Sequence, residues 1–187
     1  MVVFMGAFDT NFDWRRARQE STRYASALMN IMSAYSVVGK GRFVYFSSHE
    51  VYSRSYQDNI PESESVSPSG FKALALAQGE EICDNYRRMQ GLDTVILRFD
   101  HLYGIPLKGQ EESNPCFRLC LEGLKTGKIS ASDRNVFSMI YLNDAVELAY
   151  RVMEKEKTAR SCYHISSGEE ISEMKLADLV AKGLGAG

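Results

Sequence analysis

Three short apolar runs, each with enough chain before the next to make a long helix and return, constrain this 187-residue sequence more than any other feature. They are VVFMG at 2–6, RFVYF at 42–46 and TVILRF at 94–99. None alternates apolar with polar residues, so each reads as a strand covered on both faces, the usual condition of a parallel sheet. Between the first two, Ala17, Tyr24, Leu28, Ile31, Met32 and Tyr35 fall at helical intervals. This predicts a helix over 13–38, with Asp13 as its N-cap and Gly39 and Gly41 as its stop. After the second run comes a polar stretch, 53–69, that holds two of the four prolines and reads as a loop. A second helix, rich in Ala and Leu, is predicted over 69–88 and ended by Gly91. Strand, helix, strand, helix, strand, with connections long enough to cross over, is the pattern of an α/β protein.

Beyond Gly104 the texture changes. Residues 114–125 form an amphipathic helical pattern, 136–142 a strand-like run, and 143–154 a helix that Asn143 or Asp144 could cap. A short strand at 161–166 and a last helix at 172–182 follow, and the terminal Gly-Leu-Gly-Ala-Gly reads as a flexible end that caps nothing. The expected division is therefore a first domain over 1–104 and a smaller lobe over 105–187.

A net charge of −2 and a pI near 6.0 leave no electrostatic footprint for nucleic acid or an anionic membrane. The longest apolar runs are far short of the ~20 residues needed to span a bilayer, and no signal-type segment opens the chain, so it reads as cytoplasmic. The four cysteines, Cys83, Cys116, Cys120 and Cys162, contain no CxxC pair. Cys116 and Cys120, four apart, would share one helix face, while His49, His101 and His164 are scattered. The thiols are read as reduced and mostly buried, and no metal site is expected.

Five segments, in order, carry a resemblance. Ser47-Ser48-His49-Glu50-Val51-Tyr52 is similar to an SSxxVYG motif, with Ser53 where Gly is usual. Residues 97–104 (LRFDHLYG) resemble LRFxNVYG, with His101 where Asn is common, and 139–145 (MIYLNDA) resemble FIYVDDA. Residues 163–169 (YHISSGE) resemble YNIGSGE, and the helix after them resembles the one that follows in the same family. On these motifs the chain is identified as a member of the extended short-chain dehydrogenase/reductase family, the NAD-dependent epimerase/dehydratase group that acts mostly on nucleotide sugars. The resemblance implies a Rossmann-like parallel sheet flanked by helices, present as its second half. It also implies a partial substrate-binding lobe, NAD or NADP as cofactor, a nucleotide-sugar-like small molecule as substrate, and a homodimer built through helices 13–38 and 69–88. No nucleic acid and no membrane partner is expected, on the charge and the short apolar runs given above.

The resemblance starts late. Residues 2–6 look like the family's fourth strand, and the 14 glycines offer no GxxGxxG turn, the motif that lets a backbone approach a dinucleotide pyrophosphate. The chain is thus expected to be a fragment or a truncated relative. Residues 2–6 would form a sheet edge prone to pairing or poor solubility.

By resemblance the active site should hold a Ser, a Tyr and a Lys. The phenol acts as acid and base, the ammonium lowers its pKa, and the serine bonds the substrate oxygen. Ser48 matches the serine. In the segment matching P-x-S-x-Y-x-x-x-K, Phe71 stands at the Tyr position and Ala75 at the Lys position. None of the ten tyrosines has a lysine four residues on, and Lys72 lies about 100° around a helix from Phe71. Phe71 has no proton to give and Ala75 no charge, so the family chemistry is expected to be impaired. Tyr24 lies near the place of an Asn that the family often has in its long first helix. By the same resemblance Ser47 and His101 are candidates for the cofactor, and His49, Glu50 and Tyr103 for the substrate. Arg98 reads as a structural residue at a strand end. Three readings stay open: an impaired enzyme, a non-catalytic relative that binds a nucleotide or protein partner, and a structural or assembly role.

Overall fold

In a computed structural model, which describes residues 1–6, 14–52, 60–105 and 114–185, the apolar runs become neighbouring strands. β1 (Val2–Phe4), β2 (Phe43–Ser48), β3 (Thr94–Phe99) and β6 (Cys162–Ile165) form one sheet in the order β1-β2-β3-β6. Every pairing in it is parallel, with Val3 opposite Val44, Val44 opposite Val95, and Leu97 opposite Tyr163. Parallel neighbours need crossovers, which α1 (Trp14–Val38) and α2 (Phe71–Gln90) supply.

The continuous apolar pattern holds for β2 and β3, whose residues are almost all buried. It holds less well for β1, the outermost strand of the described sheet, where Val3 is exposed and its neighbours are half-buried. The cluster beneath the sheet joins Tyr24, Leu28, Met32 and Tyr35 of α1 to Phe43 and Tyr45 of β2 and to Ala75, Leu76 and Cys83 of α2. One glycine makes this packing possible: a Cβ on Gly79 would lie 2.1 Å from the Tyr45 hydroxyl. Tyr45 runs from the strand to the helix there, and any side chain at position 79 would push it out.

The later segments build β4 (His101–Tyr103), α3 (Pro115–Thr126), β5 (Val136–Tyr141), α4 (Leu142–Glu154), β7 (Glu170–Ser172) and α5 (Glu173–Gly183). β4 pairs parallel with β5, and β7 pairs antiparallel with β5, giving a second, three-stranded sheet. Leu119 of α3, Met139 of β5, and Leu176, Ala177 and Val180 of α5 make a separate core. Asn114 and Ser172 cap α3 and α5 through their side chains, accepting from the N–H groups of Phe117 and Lys175.

Several expectations are corrected. β4 and β7, three residues each, are too short to show a period and were not foreseen. α4 starts one residue early, at Leu142, so Asn143 and Asp144 lie inside its first turn and do not cap it. Asp144 there still favours the positive end of the helix dipole. β2 runs on through Ser48, which makes Ser47 and Ser48 part of the strand. Helix α5 extends to Gly183, with Leu184 closing it and Gly185 in the left-handed region. Asp13, the expected N-cap of α1, lies outside the described residues.

The chain forms two compact units. The first takes β1 to β3 with α1 and α2, and also Leu148–Ile165, which carries the end of α4 and β6. The second is made chiefly of Asp100–Glu147 and Ser166–Gly187. A single cut at residue 104 therefore does not trace these units, because β6 returns to pair with β3. Arg42 secures that return: its guanidinium bonds Asp93 at 3.0 Å and the carbonyl of Val152 at 2.8 Å. No described helix is long and apolar enough to cross a membrane.

Candidate active site and comparison with known proteins

In the first unit the motif residues collect where β2 ends. Ser48, half-buried, is the last residue of the strand and caps a 3-10 turn, His49–Val51, its Oγ accepting from the N–H of Glu50 at 3.2 Å. Strand pairing carries the backbone in register up to Ser48, and the turn that follows presents His49 and Glu50. His49 Nδ1 lies 3.1 Å from the carbonyl of Phe99, at the end of the neighbouring strand. Glu50 Oε1 accepts from Lys72 Nζ at 2.8 Å, and both side chains are a little over one third exposed.

Phe71 and Ala75 have different surroundings. Phe71 opens α2 with its side chain 37% exposed, and its carbonyl accepts from Ser21 Oγ of α1 at 3.1 Å. Ala75 is fully buried within the first core. Of the first turn of α2, the side chain bonded to the turn after Ser48 is that of Lys72. Lys72 lies about 100° around the helix from Phe71. The partner that gives it a place lies 22 residues away in sequence, and no local pattern announces such a pair.

Ser47 points the other way. It is buried, and its hydroxyl donates to Glu80 Oε1 at 2.5 Å, so it serves the interior. Glu80 in turn accepts from Arg98, with Nε at 2.9 Å and Nη2 at 2.6 Å, a two-pronged ion pair with both side chains only 7% exposed. Arg98 also donates to the Tyr52 hydroxyl, which hydrogen-bonds His164 Nε2 at 2.9 Å. Burial works against the Arg98 charge, but the Glu80 carboxylate outweighs it and holds the guanidinium pKa above its ordinary value. Burial also pushes the Tyr52 phenol up to about 12. The reading of Arg98 as structural agrees with this geometry. The network that includes Glu80 and His164 was not foreseen.

Tyr24 sits over Gly6, where an added Cβ would fall 1.6 Å from its ring. Its hydroxyl donates to Tyr45 at 2.8 Å, and burial raises its pKa to about 12. Such a phenol stays protonated at neutral pH and is no base.

The other two candidates fall in the second unit. His101 sets its ring edge against Phe137, with centroids 5.7 Å apart, and Tyr103 lies against Tyr141 at 5.5 Å. Tyr103 also lines a groove of about 470 Å³, walled by Cys116, Met139, Ile171, Leu176 and Val180, with Glu169, Glu170 and Lys175 among its polar residues. Beside β5, Glu173 is buried and accepts from Asn135 at 2.7 Å, from the N–H of Ser132 at 3.1 Å, and from Arg118. Burial alone would raise its pKa, but these donors prevail and lower it.

A dinucleotide cofactor can be tested against these residues. The strand ends of the first unit offer the Ser48 hydroxyl and the Lys72 ammonium, groups suited to a ribose or a carbonyl oxygen. They offer no glycine cradle for a pyrophosphate: α2, the helix nearest them, opens after one glycine, Gly70. The described residues fit one end of such a molecule and not its phosphates.

A parallel sheet crossed by helices, with a serine at the end of its second strand and a three-stranded lobe after it, defines a Rossmann-type α/β protein. The chain belongs to the NAD dependent epimerase/dehydratase family, whose model matches residues 2–166. It is 29% identical over 147 residues to the dTDP-glucose 4,6-dehydratase of Streptomyces niveus, covering 79% of this chain and 43% of that protein. It is likewise 29% identical over 136 residues to the dTDP-D-glucose 4,6-dehydratase of Homo sapiens, covering 73% of this chain and 38% of that one. The chain thus spans less than half the length of these curated relatives. Among solved structures, the UDP-N-acetylglucosamine 4-epimerase from Bacillus cereus matches with a TM-score of 0.82 at 21% identity, over 99% of this chain and 62% of that one. At that identity the likeness is one of fold.

Proposed function

We propose that this chain is a nucleotide-sugar-type member of its family that binds ligand without performing the tyrosine–lysine chemistry. One observation carries the reading: Phe71 has no proton to exchange, and Ala75 is a fully buried alanine with no cation to offer. Ser48 remains at the strand end to bond a substrate oxygen, and Glu50 and Lys72 form the charged pair beside it. His49 would support the substrate from the same turn.

Related proteins supply the ligand class. WbmG of Bordetella bronchiseptica is known in complex with NAD and UDP, and DesIV of Streptomyces venezuelae with NAD and TYD bound. In this chain the first unit would face the dinucleotide. The second would hold the nucleotide sugar, with Tyr103 in its groove wall and His101 on the same strand. A cytoplasmic location suits both ligands. A homodimer through α1 and α2 is supported by their exposed apolar residues, among them Met29, Ile31 and Leu74.

The test is equilibrium binding of UDP and dTDP to the chain, alongside turnover of UDP- and dTDP-glucose with NAD or NADP. Micromolar to millimolar binding with no sugar product is the expected result. Product formation above the level of a Ser48→Ala variant would overturn the claim of lost chemistry, and absence of any nucleotide binding would overturn the binding role.

A further inference from the structure

We propose that Cys116, Cys120 and Met139 form a binding site for a soft monovalent cation, copper(I), in the wall of the groove of the second unit. Helix α3 places the two cysteines four residues apart, on one face of the helix. Both are half-buried and pack against the core that contains Met139, and Cys116 and Met139 together line the groove. Cys116 and Met139 thus put two sulfur-bearing side chains in the wall of a cavity of about 470 Å³ through which an ion can enter, with Cys120 one turn along α3 and packed against the same core.

The geometry favours a metal over a disulfide. Cβ atoms four apart on a helix stand roughly 5–6 Å from each other, whereas a disulfide needs about 3.5–4.5 Å. Oxidation would have to unwind part of α3. A metal bound by three sulfurs at about 2.3 Å each holds them roughly 4 Å apart, a separation that side-chain rotation alone can reach. The donor set selects the ion. Thiolate and thioether are soft ligands that prefer copper(I) to harder cations. Among the described residues no three of His, Cys, Asp and Glu come together, so a closed four-coordinate zinc site has too few ligands. Binding exchanges two S–H protons for one copper(I), with no change of oxidation state. The other two cysteines differ: Cys83 and Cys162 lie in the first unit.

The reading does not depend on the proposed nucleotide-sugar role. It is tested by titrating the reduced protein, without oxygen, with copper(I) in competition with bathocuproine disulfonate. One equivalent of copper should be withdrawn from the coloured chelate, and X-ray absorption of the complex should show sulfur neighbours alone. A double variant, Cys116→Ser with Cys120→Ser, should lose at least tenfold in affinity while keeping its helical circular dichroism. Met139→Leu should weaken binding severalfold, and Cys83→Ser with Cys162→Ser should leave it unchanged. Failure to withdraw copper from the chelate, equal retention by the Cys116/Cys120 double variant, or oxygen and nitrogen neighbours in the absorption spectrum would each overturn the assignment.

Discussion

Each of the two units buries a carboxylate, and they neutralise it by different means. In the first, Glu80 meets Arg98 with both side chains 7% exposed, and Ser47, Tyr52 and His164 continue the network. In the second, Glu173 is just as buried, but its arginine, Arg118, is 42% exposed, and much of the neutralising is done by Asn135 and a backbone N–H. A charge paired wholly inside the protein depends chiefly on its counter-charge. A charge held by several neutral donors and one solvated arginine can lose any of them at modest cost. The first unit has made its polar core brittle, and the second has spread the burden.

The largest effect should come from removing the buried cation that faces Glu80. Arg98→Ala leaves Glu80 buried without its counter-charge and should cost about 3–5 kcal/mol in urea unfolding. A loss below about 1 kcal/mol would show that water reaches the pair and would erase the contrast. Arg118→Ala should cost only about 1 kcal/mol, since the guanidinium is already solvated and Asn135 and Ser132 stay in place. Equal losses from the two variants would break the comparison.

The smallest and most discriminating effect is that of pH. The Glu173 pKa is lowered on folding, so its contribution is complete above the ordinary value of 4.5 and is lost as pH falls through the folded value. The Tyr52 pKa is raised to about 12, so its contribution is complete below the ordinary value of 10.0 and is lost as pH rises towards 12. Methyl NMR signals of Met139, Leu176 and Val180 should therefore weaken first on the acid side. Those of Leu28, Val95 and Leu97 should weaken first on the alkaline side. The opposite order would refute the assignment of these groups to separate units.

Particular residues show how much of this was legible beforehand. Residues 94–99 were read as a strand with their bounds intact, because a run of apolar residues buried on both faces leaves no other period to fit. Helix α1 was placed within one residue at its start and matched at its end, since Gly39 follows its last turn. β4 and β7 carry too few residues for any pattern, and only their partner β5 makes them strands. Within the site, Ser48 was recognisable from its motif. The bond between Lys72 and Glu50 was not, because it joins a helix to a turn 22 residues away in sequence.

Periodicity alone determined the α/β class, and the resemblance carried by five motifs pointed to the family and to positions 71 and 75 as places that hold neither a phenol nor a cation. Those depend on local order along the chain, which sequence records directly. Tertiary structure alone decided that Ser47 serves the core while Ser48 sits at the strand end, although they are adjacent and chemically identical. A strand sends successive side chains to opposite faces, and only the packed sheet settles which face is the interior. The same holds for Cys116, Cys120 and Met139. Helical spacing pairs the two cysteines, but the fold of the second unit is what brings a methionine from a strand into the core they pack against.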